Sequence, residues 1–501
     1  GRDVYEYSVR RGKLCISASS GVAACRAFYD YVKQKGAGIA SWSGNRFEMP
    51  ENLETEFRRV VSPYRHHQYL NVVTYGYTMP FWDEARWDRE IDWMALHGVD
   101  MPLVMLAQEQ VYREVFRDMG LSDAEIDEWE TGPAHLPWMR MGNLAGNSFD
   151  GPLGRNWHER QVALCHHVLE RMRALGMKPI CPAFAGFVPP AFSRHHGVQT
   201  VLTGWDWVPT ECRNHRLDPR SEAFAEVGTR FVRKWEEKFG KGQYYLSDSF
   251  NEMEIPRDTA LMTAYGDAVY RSICAANPDA VWVMQGWSLG YQRDSWGDGI
   301  FKALVKNVPD DRFMLLDMAT DYNRYIWNMS YDWDFYEGFY GKQWQWSVIP
   351  NMGGKTAFTG CMDYYANGRL AATQSPHRGR LTGYGFAPEG LESNEMLYEL
   401  ISDAGWWSAA DSLDTDAWLQ GWFRQRYGHT LPADMAWVQA LQRSVYGAFQ
   451  DHPQFAWQVG GRIVGRGNVR VDATFCKGGE ARFADASGLC RRLEGLSPEG
   501  A

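Results

Sequence analysis

Tyr244-Tyr245-Leu246-Ser247-Asp248-Ser249-Phe250-Asn251-Glu252 decides the fold. It reads as a buried strand that runs straight into an amide and a carboxylate. Polar groups at the C-terminal end of such a strand are how a (β/α)₈ barrel presents its working residues. Other stretches repeat the plan. Pro102-Leu103-Val104-Met105-Leu106-Ala107 is a continuous apolar run, as a parallel strand buried on both faces requires. Further strands are expected at 69–78, 179–185, 281–286, 313–318, 343–350 and 381–387. Helical periodicity lies between them, with Ile91, Met94 and Ala95 on one face of the helix over 82–97 and Gly98 ending it. Eight strands alternating with helices predict a closed parallel barrel.

The 501 residues exceed one ordinary core. Residues 1–62 read as a small α/β domain. Lys13–Ala18 alternates like a strand. Val22–Lys35 reads as a helix with Ala23, Ala24, Phe28, Tyr29 and Val32 on one face, stopped at Gly36 and Gly38. Residues 63–392 form the barrel. Residues 393–501 form the start of a helical region, with helices at 394–404, 414–427 and 432–449 and a Gly- and Arg-rich tail.

A net charge of −10 argues against a nucleic-acid partner, which needs basic patches. No apolar run reaches the roughly 18 residues of a membrane helix. Gly1 onward carries no signal-peptide pattern, which leaves the compartment open. The nine cysteines lack a C-x-x-C pair and read as free thiols. The thirteen histidines lack H-E-x-x-H spacing, so no metal site is expected. No G-x-G-x-x-G, P-loop or G-x-S-x-G elbow is present. The 23 Trp, 25 Tyr and 24 Phe suit a sugar ligand, whose C–H faces stack on rings, although most rings must be core.

Glu252 therefore needs a partner. Glu389, in Phe386-Ala387-Pro388-Glu389-Gly390, closes the last candidate strand and would face the same mouth. Two carboxylates there, one a proton donor and one ionised, are what glycoside hydrolysis requires. Either Glu could instead be a buried ion-pair partner or an aid to a helix N-terminus. Asp248 shares the Glu252 face of its strand and reads as an interior ion pair or an orienting group. Glu395 reads as the start of the next helix, and Asp317 as a weaker mouth candidate. Candidate substrate contacts at strand ends are Asn251, Asn71 and Tyr77 on the first strand, Gln108 and Glu109 after the second, Asn143, Trp205, Trp287 and Trp346.

These residues sit in longer motifs. Phe81-Trp82-Asp83-Glu84-Ala85-Arg86-Trp87-Asp88-Arg89-Glu90-Ile91-Asp92-Trp93-Met94-Ala95 is one. Arg140-Met141-Gly142-Asn143-Leu144, Pro182-Ala183-Phe184-Ala185-Gly186, Phe250-Asn251-Glu252-Met253, Gln285-Gly286-Trp287 and Ala387-Pro388-Glu389-Gly390 follow in order. From about residue 10 to about 450 the chain resembles the α-N-acetylglucosaminidases of glycoside hydrolase family 89. The resemblance implies a retaining exo-glycosidase that removes terminal α-linked N-acetylglucosamine from a heparan-type or mucin-type glycan. It implies Glu252 as acid/base, Glu389 as nucleophile and Asn251 at the 2-acetamido group. It implies no metal or organic cofactor, and a secreted, periplasmic or lysosomal setting. The family's long C-terminal helical domain is represented only by its start, so either the chain is a fragment or that wall of the pocket is reduced, and full activity is left open. Two other readings are a barrel glycosidase assisted by the substrate's own acetamide and a catalytically impaired glycan-binding barrel.

Overall fold

The computed structural model describes residues 1–146, 148–149, 151–354, 360–443 and 446–448. Eight parallel strands form the central sheet: His66–Tyr69, Met101–Pro102, Ile180–Pro182, Tyr244–Leu246, Val281–Gln285, Phe313–Asp317, Gln343–Val348 and Arg380–Phe386. Each pairs with its sequence neighbour, and the eighth returns to the first through Gly383 opposite His66. The second and third strands close the ring through a parallel bridge between Leu103 and Ile180. The expected (β/α)₈ barrel is therefore present, with a small sheet-and-helix unit before it and helices after it.

The first strand is displaced from its expected position. Tyr69 is its last residue, not its first. Leu70 turns into left-handed backbone at φ 81°, and Thr74–Tyr77 forms a single helical turn. The polar run His66-His67-Gln68 masked the strand because its partners are inside the barrel. His66 bonds Asp100 Oδ2 at 3.3 Å and the Tyr244 hydroxyl at 3.2 Å, both buried.

The N-terminal unit is a three-stranded antiparallel sheet. Val4–Arg10 lies between Lys13–Ala18 and Phe57–Val61. Its helix, Gly21–Gln34, is capped by the Ser20 side chain, which accepts from the Ala23 N–H. Ala23, Ala27 and Tyr31 of that helix bury Tyr5, Tyr7 and Val9 of the sheet against Trp406. Gly36, at φ 62°, ends the helix. Gly38 serves a different purpose: a Cβ there would lie 2.0 Å from the Arg46 carbonyl oxygen across a two-residue strand pair.

After the barrel come helices Glu395–Trp406, Thr415–Tyr427 and Pro432–Arg443. The expected tail beyond residue 448 lies outside the described residues. A buried ionic cluster ties the first of these helices to the N-terminal unit. Lys33 Nζ reaches Glu399 Oε1 and Asp403 Oδ2, each at 2.5 Å, Arg26 binds Asp403 at 2.7 Å, and His97 meets Glu399 Oε2 at 2.6 Å. The pattern also concealed an antiparallel sheet after the third barrel strand. It comprises Phe187–Val188, Asn214–Leu217 and Thr200–Thr203, and the last of these delivers the chain to Trp205.

Candidate active site

A cavity of about 580 Å³ opens at the C-terminal ends of the barrel strands. Asn71 follows the first strand, Asn251 and Glu252 the fourth, Trp287 the fifth, Met318 the sixth, Ile349 the seventh and Glu389 the eighth. All of them line it, with Gln285 ending the fifth strand. The strands supply the positions and the short loops supply the side chains.

Glu252 stands on left-handed backbone, φ 49°. This turn follows a ladder only three residues long and lets consecutive residues Asn251 and Glu252 face the same space. Two indoles hold the carboxylate. Trp287 Nε1 donates to Oε1 at 2.8 Å, and Trp205 Nε1 donates to Oε2 at 2.9 Å. Glu389 is held from the opposite wall. Asn71 Nδ2 donates to its Oε1 at 3.3 Å, and the Gly353 backbone N–H donates to its Oε2. Tyr77 lies between the two charges. Burial, and then the charges of Glu389 and Glu252, push its phenol up to about 12, so it stays a neutral O–H donor.

Aromatic residues build the wall on the Glu252 side. Tyr77 meets Trp138 edge to face at 5.1 Å, Trp138 lies 6.4 Å from Trp205, and Trp205 stacks on Trp207 at 5.1 Å. Trp138, His135 and Phe149 are lining residues that sequence reading missed. They follow the Thr131-Gly132-Pro133-Ala134 motif on a one-turn helix and a loop, where no strand end marks them.

Four expected contacts lie elsewhere. Asn143 is fully buried behind the cavity. Its Nδ2 donates to the Asn251 carbonyl at 2.7 Å, and its Oδ1 accepts from Asn251 Nδ2 at 3.2 Å. Gln108 and Glu109 are buried in the first turn of a helix, because Ala107 turns left-handed at φ 59°. Arg140 takes Glu109 in a two-point pair at 2.8 and 3.0 Å. Trp346 points out of the barrel. Gln345 occupies the interior face, bonding Met101 and Met314, so its neighbour must face the helices. There Trp346 stacks on Tyr384 at 5.0 Å.

Asp248 takes the orienting reading instead of the ion pair. Its Oδ1 accepts from the Gln285 N–H at 2.9 Å, and burial pushes its carboxyl up to about 7. Asp317 is buried behind Met318 and does not line the cavity. Burial, then the Asp332 charge, holds its carboxyl well above the usual range. Glu395 opens its helix and accepts from the Ser41 and Ser43 hydroxyls. Among the described residues no group of three or more His, Cys, Asp or Glu could hold a metal, and no helix is long and apolar enough to cross a membrane.

Comparison with known proteins agrees with this architecture. Residues 66–408 match the family model of the α-N-acetylglucosaminidase (NAGLU) tim-barrel domain, and residues 1–53 match that of its N-terminal domain. A human protein described as α-N-acetylglucosaminidase is 35% identical over 442 residues, covering 87% of this chain and 58% of its own. A family 89 glycoside hydrolase from Clostridium perfringens, solved with 2-acetamido-1,2-dideoxynojirmycin, superposes with TM-score 0.79 at 28% identity. A form of that enzyme with two Glu→Gln substitutions, solved with GlcNAc-α-1,4-galactose, gives TM-score 0.79 at 27% identity. Both superpositions cover 89% of this chain and 49% of the other. The chain thus spans about half to three-fifths of the length of these relatives. With its barrel matched over residues 66–408, the chain belongs to the α-N-acetylglucosaminidase family, glycoside hydrolase family 89.

Proposed function

We propose that the protein is a retaining exo-glycosidase that hydrolyses terminal α-linked N-acetylglucosamine from a heparan-type or mucin-type glycan. The observation that carries the reading is the pair Glu252 and Glu389 on one cavity, each held by its own donors from opposite walls. Glu389 Oε attacks the anomeric carbon while Glu252 delivers a proton to the departing glycosidic oxygen. The C1–O bond breaks and a glycosyl ester to Glu389 forms. Glu252, now a carboxylate, takes a proton from water as that water attacks C1. The ester breaks and both carboxyl groups return to their starting states. In this reading Asn251, beside Glu252 and held by Asn143, takes the 2-acetamido group.

Retention calls for carboxyl groups roughly 5–5.5 Å apart, and inversion for roughly 6.5–9.5 Å. Proton NMR of the first-formed anomer during hydrolysis of an aryl α-N-acetylglucosaminide tests the stereochemistry: the α anomer is expected first. Glu389→Ala should abolish this turnover. Unchanged turnover removes Glu389 as nucleophile, and β anomer formed first removes the double displacement.

A further inference from the structure

Trp207 is 68% exposed, yet it lines the same cavity as the two glutamates. A Trp left open to water at a cavity rim is an unfilled stacking surface. Its place is defined by its neighbour. Trp205 and Trp207 stack with rings 5.1 Å apart and 20° from parallel, and Trp205 Nε1 holds Glu252. In the reading proposed above, Glu252 protonates the leaving oxygen. The Glu252 side of the cavity is therefore the leaving-group side, and Trp207 continues it outward.

The segment is built to hold this position. A Cβ on Gly204 would lie 2.4 Å from the Asn143 carbonyl oxygen, so only Gly allows the close approach. The Trp205 N–H donates to that same oxygen at 3.2 Å, and the Val208 N–H donates to the Trp205 carbonyl at 3.0 Å. Arg213 straps the turn by donating to the Asp206 and Val208 carbonyls at 2.9 and 3.1 Å. A surface fixed before binding loses little freedom on binding.

We propose that Trp207 is the platform for the leaving-group sugar, a hexopyranose stacked on the indole by its C–H face. This inference rests on the glycosidase reading. The test compares kcat/KM for GlcNAc-α-1,4-galactose and for methyl α-N-acetylglucosaminide, which has no second ring. Trp207→Ala should lower the galactoside value about tenfold and leave the methyl glycoside within about twofold, with Trp207→Phe between. Equal losses on galactoside and methyl glycoside would overturn the platform. A wild type inactive on both refutes the glycosidase reading itself, before any variant is made.

Discussion

Trp287→Phe isolates one hydrogen bond to the proposed acid. The indole N–H donates to Glu252 Oε1 at 2.8 Å, and the ring packs against Tyr322 at 5.5 Å and Trp327 at 5.1 Å. Phe keeps most of that packing and deletes the donor. A hydrogen bond to a charged acceptor is worth about 1.5–3 kcal/mol. Trp287 is half-buried, so water replaces part of the loss, and the lower end applies. About 1.5 kcal/mol is close to tenfold in rate. The loss must depend on the leaving group. A sugar alcohol cannot depart without the proton from Glu252, whereas 2,4-dinitrophenolate can. The expected result is a fall of about tenfold in kcat/KM for a disaccharide and about twofold or less for the dinitrophenyl glycoside. Because kcat/KM reports the first irreversible step, slow hydrolysis of the ester does not obscure the comparison. Equal losses on both substrates, with an unchanged melting temperature, would refute the claim that Trp287 acts by orienting the acid.

Asn143→Ala should behave differently: it loosens Asn251 and Glu252 together, so kcat/KM falls for every leaving group, and unpairing the buried Asn251 amide costs about 1–3 kcal/mol in urea unfolding. Lys33→Met leaves Glu399 and Asp403 short of a buried cation and should cost about 3–5 kcal/mol by the same measurement. Against the upward push of burial, His97 and Lys33 hold Glu399 below its usual range, and Lys33 and Arg26 hold Asp403 below its own. Carboxyls lowered in the folded state stabilise above their unfolded values, so this contribution should fade as pH drops below about 4. Asp248 has the opposite sign. Its carboxyl is raised to about 7, so the contribution is full below its ordinary 3.8 and lost as pH rises through 7. Asp248→Asn keeps the acceptor for the Gln285 N–H and should flatten the loss of unfolding free energy between about pH 4 and pH 7.

The barrel was legible because its strands are apolar on both faces and its helices carry ordinary signals. Ser122 and Glu125 form a capping box, and Gly98 turns at φ 77° where a helix stop was expected. Polarity inside the barrel was not legible. His66 finds its partners, Asp100 and Tyr244, far away in sequence, so the first strand carries no apolar signal of its own. The same blindness governed the site. Glu252, Glu389, Asn251, Asn71 and Trp287 line the cavity because each follows a barrel strand, whereas Tyr77 reaches it from a helical turn and Trp205 from the antiparallel sheet. Trp346 was misplaced because parity along the seventh strand is fixed by Gln345, whose inward direction the sequence does not display. Asn143 was expected at the substrate and instead clamps Asn251, since a buried amide that clamps a turn has the same signature as one that binds a sugar.

Those clamps explain how such short strands can hold the glutamates still. Among the described residues twelve non-glycine positions have positive φ, and six of them lie where strands one, two, four, seven and eight give way to loops: Leu70, Ala107, Glu252, Asn351, Glu392 and Asn394. Each costs about 1–3 kcal/mol and persists only where neighbours over-determine it. Behind Glu252 the determining pair is Asn143 and Asn251, which exchange amide hydrogen bonds. Behind Glu389 it is Asn351 and Asn394, joined at 2.8 Å, with Asn351 also bonding Ser393. The segment so fixed supplies the Pro350 carbonyl that accepts the Glu389 N–H and the Gly353 N–H that donates to its carboxylate. Each glutamate is thus backed by a strained turn and a paired asparagine, on opposite walls of one cavity.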